Sequence, residues 1–261
     1  MENIKSKTVV FITGAFVSHT GWDQWKTYFE SKGYTTLAPA WPQKDAPAST
    51  LRDRQPNDTG LANLRYAEVL DHYAKIIQEL PEKPILIGHS LGGLTAQLLL
   101  QRGIAAAAVA IHSAPPQGVL SFEFSFLKSL WKPLGPFSST KKTHLMSFEE
   151  WQYAFTNGLS YAVQKDAYEK NTIPESRTVL RDTLTSVSRI DFSKPHAPLL
   201  FISGNKDHIM PASLNYKNYK KYKNNGSVTN YKEFEGKNHF VLGLPTWKEE
   251  ADYALNWIQK N

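Results

Sequence analysis

The pentad Gly88-His89-Ser90-Leu91-Gly92 lies between a short apolar run, Ile85-Leu86-Ile87, and a helix-like run from Leu94 to Leu100. A strand that ends on such a pentad and turns at once into a helix reverses sharply. Small residues two places before and two after the serine let strand and helix pass at close range. The serine at the apex then projects from the edge of a sheet. The Leu91 amide falls at a helix N-terminus, where backbone N–H groups lack partners and favour developing negative charge.

The rest of the chain continues this alternation. Residues 8–13 (TVVFIT) read as a buried strand bounded by Gly14, and residues 34–38 (YTTLA) as a second, stopped by Pro39 and Pro42. Residues 23–31 between them read as a helix ending near Gly33. Residues 43–60 are polar and turn-rich, an excursion over the surface. Residues 61–80 carry helical periodicity through Leu64, Ala67, Leu70, Tyr73, Ala74 and Ile77. Further strands are expected at 106–111, 199–203 and 228–234, and a closing helix at 247–259 with Ala251, Ala254, Leu255 and Ile258 inward. Strands alternating with helices imply parallel pairing and right-handed crossovers, so the expected class is α/β: a doubly wound, mostly parallel sheet of about six strands.

Residues 121–190 break the alternation. They show helix-like pieces without a convincing strand and are rich in aromatics. Phe122, Phe126 and Leu130 share one helical face; Phe124, Leu127 and Trp131 share another. A surface helix packed on one side needs one apolar stripe, so two stripes predict burial on both sides, or one face on the core and one on a pocket. The expected organisation is a core of residues 1–120 and 191–261 with a helical cap, 121–190, inserted over the site.

Hydrophobic residues make up 41% of the 261 and charged residues 21%, as in a globular domain with a real core. No apolar run approaches the ~18 residues of a membrane span. The first seven residues have no apolar segment of the secretory type, and a cytoplasmic location is expected. The chain has no cysteine, which excludes disulfides, thiolate metal sites and a cysteine nucleophile. The densest basic piece, Lys217, Lys220, Lys221 and Lys223 among Tyr216, Tyr219 and Tyr222, reads as the solvated face of a helix rather than a nucleic-acid surface. The oligomeric state is left open.

A serine hydroxyl is a poor nucleophile at neutral pH. It needs a base within hydrogen-bond reach, and the base needs an orienting acceptor. On a doubly wound sheet these partners come from later strand ends, in the order serine, carboxylate, histidine. Asp207 follows the 199–203 strand through Gly204-Asn205-Lys206, and His239 follows the last strand through Glu235-Gly236-Lys237-Asn238. The expected catalytic set is Ser90, Asp207 and His239. The backbone N–H groups of Ala15 and Leu91 are the expected oxyanion donors. The expected pocket residues are Phe16, His89, Phe122, Phe126, Trp151 and Phe155. His208 is too near Asp207 in sequence to be the base. His19, His72, His112, His144 and His196 show no metal-ligand spacing, so neither metal nor cofactor is expected.

These segments together resemble the α/β-hydrolase superfamily, above all its small, cofactor-free bacterial-type hydrolases with a helical cap, and more distantly its plant esterase and hydroxynitrile lyase branch. Gly21-Trp22-Asp23-Gln24-Trp25 and Leu37-Ala38-Pro39-Ala40-Trp41-Pro42 add to the likeness. The resemblance implies a serine hydrolase acting on a small-to-medium, largely apolar ester through an acyl-enzyme. Two alternatives on the same fold are a lyase using the triad for proton transfer and a non-catalytic small-molecule receptor. The chain departs from many relatives in having Thr13-Gly14 where they have His-Gly, and it lacks the two antiparallel strands that often open the fold.

Overall fold

The structure is a computed structural model, describing residues 4–135, 139–223 and 226–261. Its centre is a six-stranded sheet. The strands are β1 (Thr8–Ile12), β2 (Thr35–Leu37), β3 (Ile85–His89), β4 (Ala107–Ile111), β7 (Leu199–Gly204) and β8 (Thr229–Phe234); β5 (Thr143–His144) and β6 (Glu175–Ser176) form a separate ribbon. The sheet order is β2-β1-β3-β4-β7-β8, and every pairing is parallel.

Period-two alternation divides the strand residues between two faces. Val9, Phe11, Ile85, Ile87, Val109, Ile111, Leu200 and Ile202 pack against α1 (Asp23–Glu30) and the C-terminal α-helix, Trp247–Lys260. Val10, Ile12, Leu86, Ala108, Ala110 and Phe201 face the other way, onto Tyr66–Gln78, Leu91–Gln101 and Ala212–Lys221. In chain order the helices after α1 are α2 (Ala48–Asp53), α3 (Thr59–Asn63), α4 (Tyr66–Gln78), α5 (Leu91–Gln101), α6 (Phe124–Leu134), α7 (Phe148–Ala154), α8 (Tyr161–Asn171), α9 (Arg177–Asp182), α10 (Ala212–Lys221) and α11 (Trp247–Lys260).

Three expectations are corrected. The periodic run at 61–80 is two helices, because Leu64 is extended (ψ 134°) and α4 starts only at Tyr66, after Arg65, whose amide is capped by Glu68. The turn-rich stretch after Gln43 contains α2, which buries Leu51. The stretch 121–190 holds the β5–β6 ribbon besides its helices, each strand only two residues long and therefore without a legible alternation. Tyr219 and Tyr222, among the lysines of α10 and its end, pack inward around Phe201. No helix among the described residues is long and apolar enough to cross a membrane.

The chain leaves β1 towards β2 on one side, whereas β3 lies on the other. In open α/β sheets the carboxyl edge at such a reversal is where ligands bind. Ile12 is in register with Gly88, so the loops leaving β1 and β3 emerge side by side.

Candidate active site

Ser90 stands between β3 and α5 with φ 58° and ψ −122°, a conformation an L-residue adopts only under constraint. The constraint is close packing. A Cβ on Gly88 would lie 2.0 Å from the Gly92 carbonyl oxygen, and one on Gly92 2.0 Å from that of Ile12. Ser90 N–H donates to the Ile111 carbonyl (3.0 Å), and the Ser90 carbonyl accepts from the Ala114 amide (2.9 Å), tying the turn to the end of β4.

Ser90, Asp207 and His239 meet at the carboxyl edge. His239 Nε2 is 2.9 Å from Ser90 Oγ, and His239 Nδ1 is 2.6 Å from Asp207 Oδ2. The other carboxylate oxygen accepts the amides of Ile209 (2.9 Å) and Met210 (2.7 Å). All three residues are buried. Burial opposes charge on Asp207, but His239 and His112 beside it outweigh burial and hold its carboxyl well below the usual carboxylate range. An ionised Asp207 fixes a proton on His239 Nδ1 and leaves the Nε2 lone pair facing the serine hydroxyl.

The β1 loop completes the arrangement. A Cβ on Gly14 would lie 2.8 Å from Ser90 Cβ and 3.4 Å from the Leu91 nitrogen, so this loop sits directly against the turn. Ala15 and Leu91 both border the cavity with Ser90. The next amide, Phe16 N–H, donates instead to Glu175 Oε2 (3.1 Å), and the Lys44 ammonium bonds the same oxygen.

The cavity above Ser90 has a volume of about 180 Å³. Phe16, Phe126 and Phe155 line it, joined by Leu130, Ile209 and Met210. The other pocket candidates lie elsewhere. Phe122 is 81% exposed and points to solvent. Trp151 is buried behind Phe155, their rings stacked at 4.3 Å. His89 lies behind the triad with its ring 4.6 Å from that of His239. Burial, with the neighbouring imidazoles of His239 and His112, lowers His89 well below the usual imidazole range. The second stripe of α6 is not covered: Phe124 and Trp131 are mostly exposed, while Phe126 and Leu130 face the cavity.

Sequence reasoning passed over His112 and Glu250. His112 follows β4 in the left-handed region (φ 45°), fully buried, and its Nδ1 is 2.7 Å from the same Asp207 Oδ2 that His239 meets. Its Nε2 is 3.5 Å from Oε1 of buried Glu250. His112, Asp207 and His239 are grouped closely enough to hold a metal ion. The shared carboxylate oxygen instead places an N–H on each facing imidazole nitrogen, which occupies the lone pair a metal would need. The sequence signal for Glu250 was its place on the inward stripe of α11, beside Ala251 and Ala254, where an apolar residue is expected.

A model of the alpha/beta hydrolase family matches residues 9–249. No curated protein sequence matches the chain. Among solved structures, an extracellular α/β-hydrolase from a Paenibacillus species aligns at TM-score 0.71 and 20% identity, over 95% of this chain and 98% of its own. The monoacylglycerol lipase of Paleococcus ferrophilus aligns at TM-score 0.68 and 18% identity, over 97% and 94%. A pyrethroid hydrolase from Sphingobium faniae aligns at TM-score 0.68 and 16% identity, over 97% and 98%.

Proposed function

We propose that this chain, which belongs to the α/β-hydrolase family, is a serine hydrolase that cleaves small-to-medium, largely apolar carboxylic esters or related acyl compounds. The observation that carries this reading is the unbroken hydrogen-bond chain from Ser90 Oγ through His239 to Asp207. In it Ser90 attacks the carbonyl carbon as His239 Nε2 takes the hydroxyl proton. The ester C–O bond then breaks, His239 returns the proton to the departing alkoxide, and an acyl-Ser90 remains. His239 next takes a proton from water, whose oxygen attacks the acyl carbon; the acyl–Oγ bond then breaks, His239 returns the proton to Ser90 Oγ and the acid leaves. The Ala15 and Leu91 amides hold the oxyanion, each contributing about 3 kcal/mol to the transition state. Phe16, Phe126, Leu130 and Phe155 favour an apolar acyl group, since such walls offer it burial and few polar partners. Residues 121–190 act as the cap, with α6 roofing this cavity. The names of the Paenibacillus, Paleococcus and Sphingobium proteins, all hydrolases, support the same chemistry.

The test is intact mass after incubation with a fluorophosphonate, with turnover on a panel of p-nitrophenyl esters. One adduct is expected on the wild type and none on Ser90→Ala. Ser90→Ala and His239→Ala are expected to fold normally and to lose nearly all ester turnover. Substantial turnover by either variant would refute the mechanism.

A further inference from the structure

Two imidazoles share one oxygen of Asp207, although a serine–histidine pair needs only one. His112 Nδ1 lies 2.7 Å and His239 Nδ1 2.6 Å from Oδ2. Behind His112, Glu250 is fully buried, and among the described residues no hydrogen bond reaches either of its oxygens. Among the described residues its one ion-pair partner is His112, whose Nε2 is 3.5 Å from Oε1. With Nδ1–H committed to Asp207, a neutral His112 would point the Nε2 lone pair at a carboxylate oxygen. Two lone pairs facing one another in a buried space repel, so a proton lies between them.

We propose that Glu250 and His112 are positioning residues for the Ser90–His239 pair: Glu250 keeps His112 cationic, and cationic His112 balances Asp207 from behind, so that His239 stays free to accept the serine proton at neutral pH. This rests on the serine-hydrolase reading above. Its physical basis is the shared oxygen. Asp207 with no second partner would offer its whole charge to His239 and favour the protonated ring, which is no base. The imidazolium of His112, with its ring 6.2 Å from that of His239, opposes that pull. Burial alone would strip His112 of its charge. The charges of Glu250 and Asp207 and the hydrogen bond to Asp207 outweigh burial and raise His112 to about 9. The ionisable groups facing His112 are Asp207 after β7, Glu250 on α11, His239 after β8 and His89 at the end of β3. Lys237, nearby, is turned to Glu249 and Thr246.

The test is the pH dependence of kcat/KM on an activated p-nitrophenyl ester for the wild type, His112→Gln, Glu250→Gln and the double variant. Glutamine at 112 can still donate to Asp207, and glutamine at 250 removes the charge that holds the His112 proton. Each single variant is expected to move the acid limb upward by about one pH unit with KM little changed, and the double variant to move it no further. Activity lost evenly at all pH values with the limb unmoved, or shifts that add in the double variant, would overturn the proposal. Glu250→Gln decides the matter where His112→Gln does not fold. An independent readout is ¹⁵N NMR of the wild-type imidazoles: a solvent-protected histidine carrying two N–H protons at pH 8 is expected, and its absence refutes a cationic His112. That readout does not depend on Ser90 being a nucleophile. An unlabelled Ser90 with a doubly protonated His112 would therefore sink the hydrolase reading alone.

Discussion

Glu175→Gln separates the charge of a buried ion pair from its shape. Glu175 is fully buried and the Lys44 side chain is 4% exposed, so neither charge has water to fall back on. Lys44 also lies over the Trp41 ring, 3.9 Å from its centroid, and Trp41 in turn donates its indole N–H to the Thr13 carbonyl (3.0 Å). Glutamine fits the same space and still accepts the Phe16 amide, but it leaves Lys44 as an uncompensated buried cation. Breaking a buried pair in this way costs about 3–5 kcal/mol. Taking about 3 kcal/mol at pH 7, and about 2–4 °C per kcal/mol for a chain of this size, the expected fall in Tm is about 6–12 °C. The loss depends on pH. Burial lowers the Lys44 pKa even with Glu175 opposing it, and without Glu175 burial acts unopposed. The folded variant then holds the Lys44 proton less tightly than the unfolded chain does. Its stability rises with pH across the window between the depressed folded pKa and the ordinary lysine value. Thermal unfolding of both proteins at pH 7 and at about pH 9.5 measures this. The gap in Tm should narrow at the higher pH. A gap below about 2 °C at pH 7, or one that does not narrow, would refute the reasoning.

Two further variants probe the turn and the cavity. Ser90→Gly should raise Tm relative to Ser90→Ala while both are inactive, because glycine relieves a strained φ/ψ that costs about 1–3 kcal/mol; equal melting temperatures would mean the turn stores no strain. Leu130→Ala enlarges the cavity beside the acyl position and should raise the octanoate-to-butyrate rate ratio of p-nitrophenyl esters about tenfold, and an unchanged ratio would place the acyl chain elsewhere.

What the sequence made legible here was whatever repeats at short range. The core strands are continuous apolar runs, and the turn at Ser90 is written within five consecutive residues. Asp207 and His239 could be found because each follows a strand by a short loop, and topology brings strand ends to one edge. The same rule applied to β4 leads straight to His112, yet no pattern required a second histidine, so its position alone did not mark it. Its partner Glu250 is 138 residues away, and only packing brings the two together. The side to which an aromatic turns was equally hidden. Phe122 and Phe126 share a helical period, but α6 begins at Phe124, so Phe122 precedes the helix and lies in solvent while Phe126 enters the cavity. Periodicity tells which residues share a face only within the helix, and it does not say where the helix starts. Glu250 shows the converse. Its place on an otherwise apolar stripe is a local inconsistency, and a carboxylate accepted there needs a buried cation to meet it. Scanning inward stripes for such charges would have led from Glu250 to a search for a buried base at a strand end, and His112 is the histidine that follows β4.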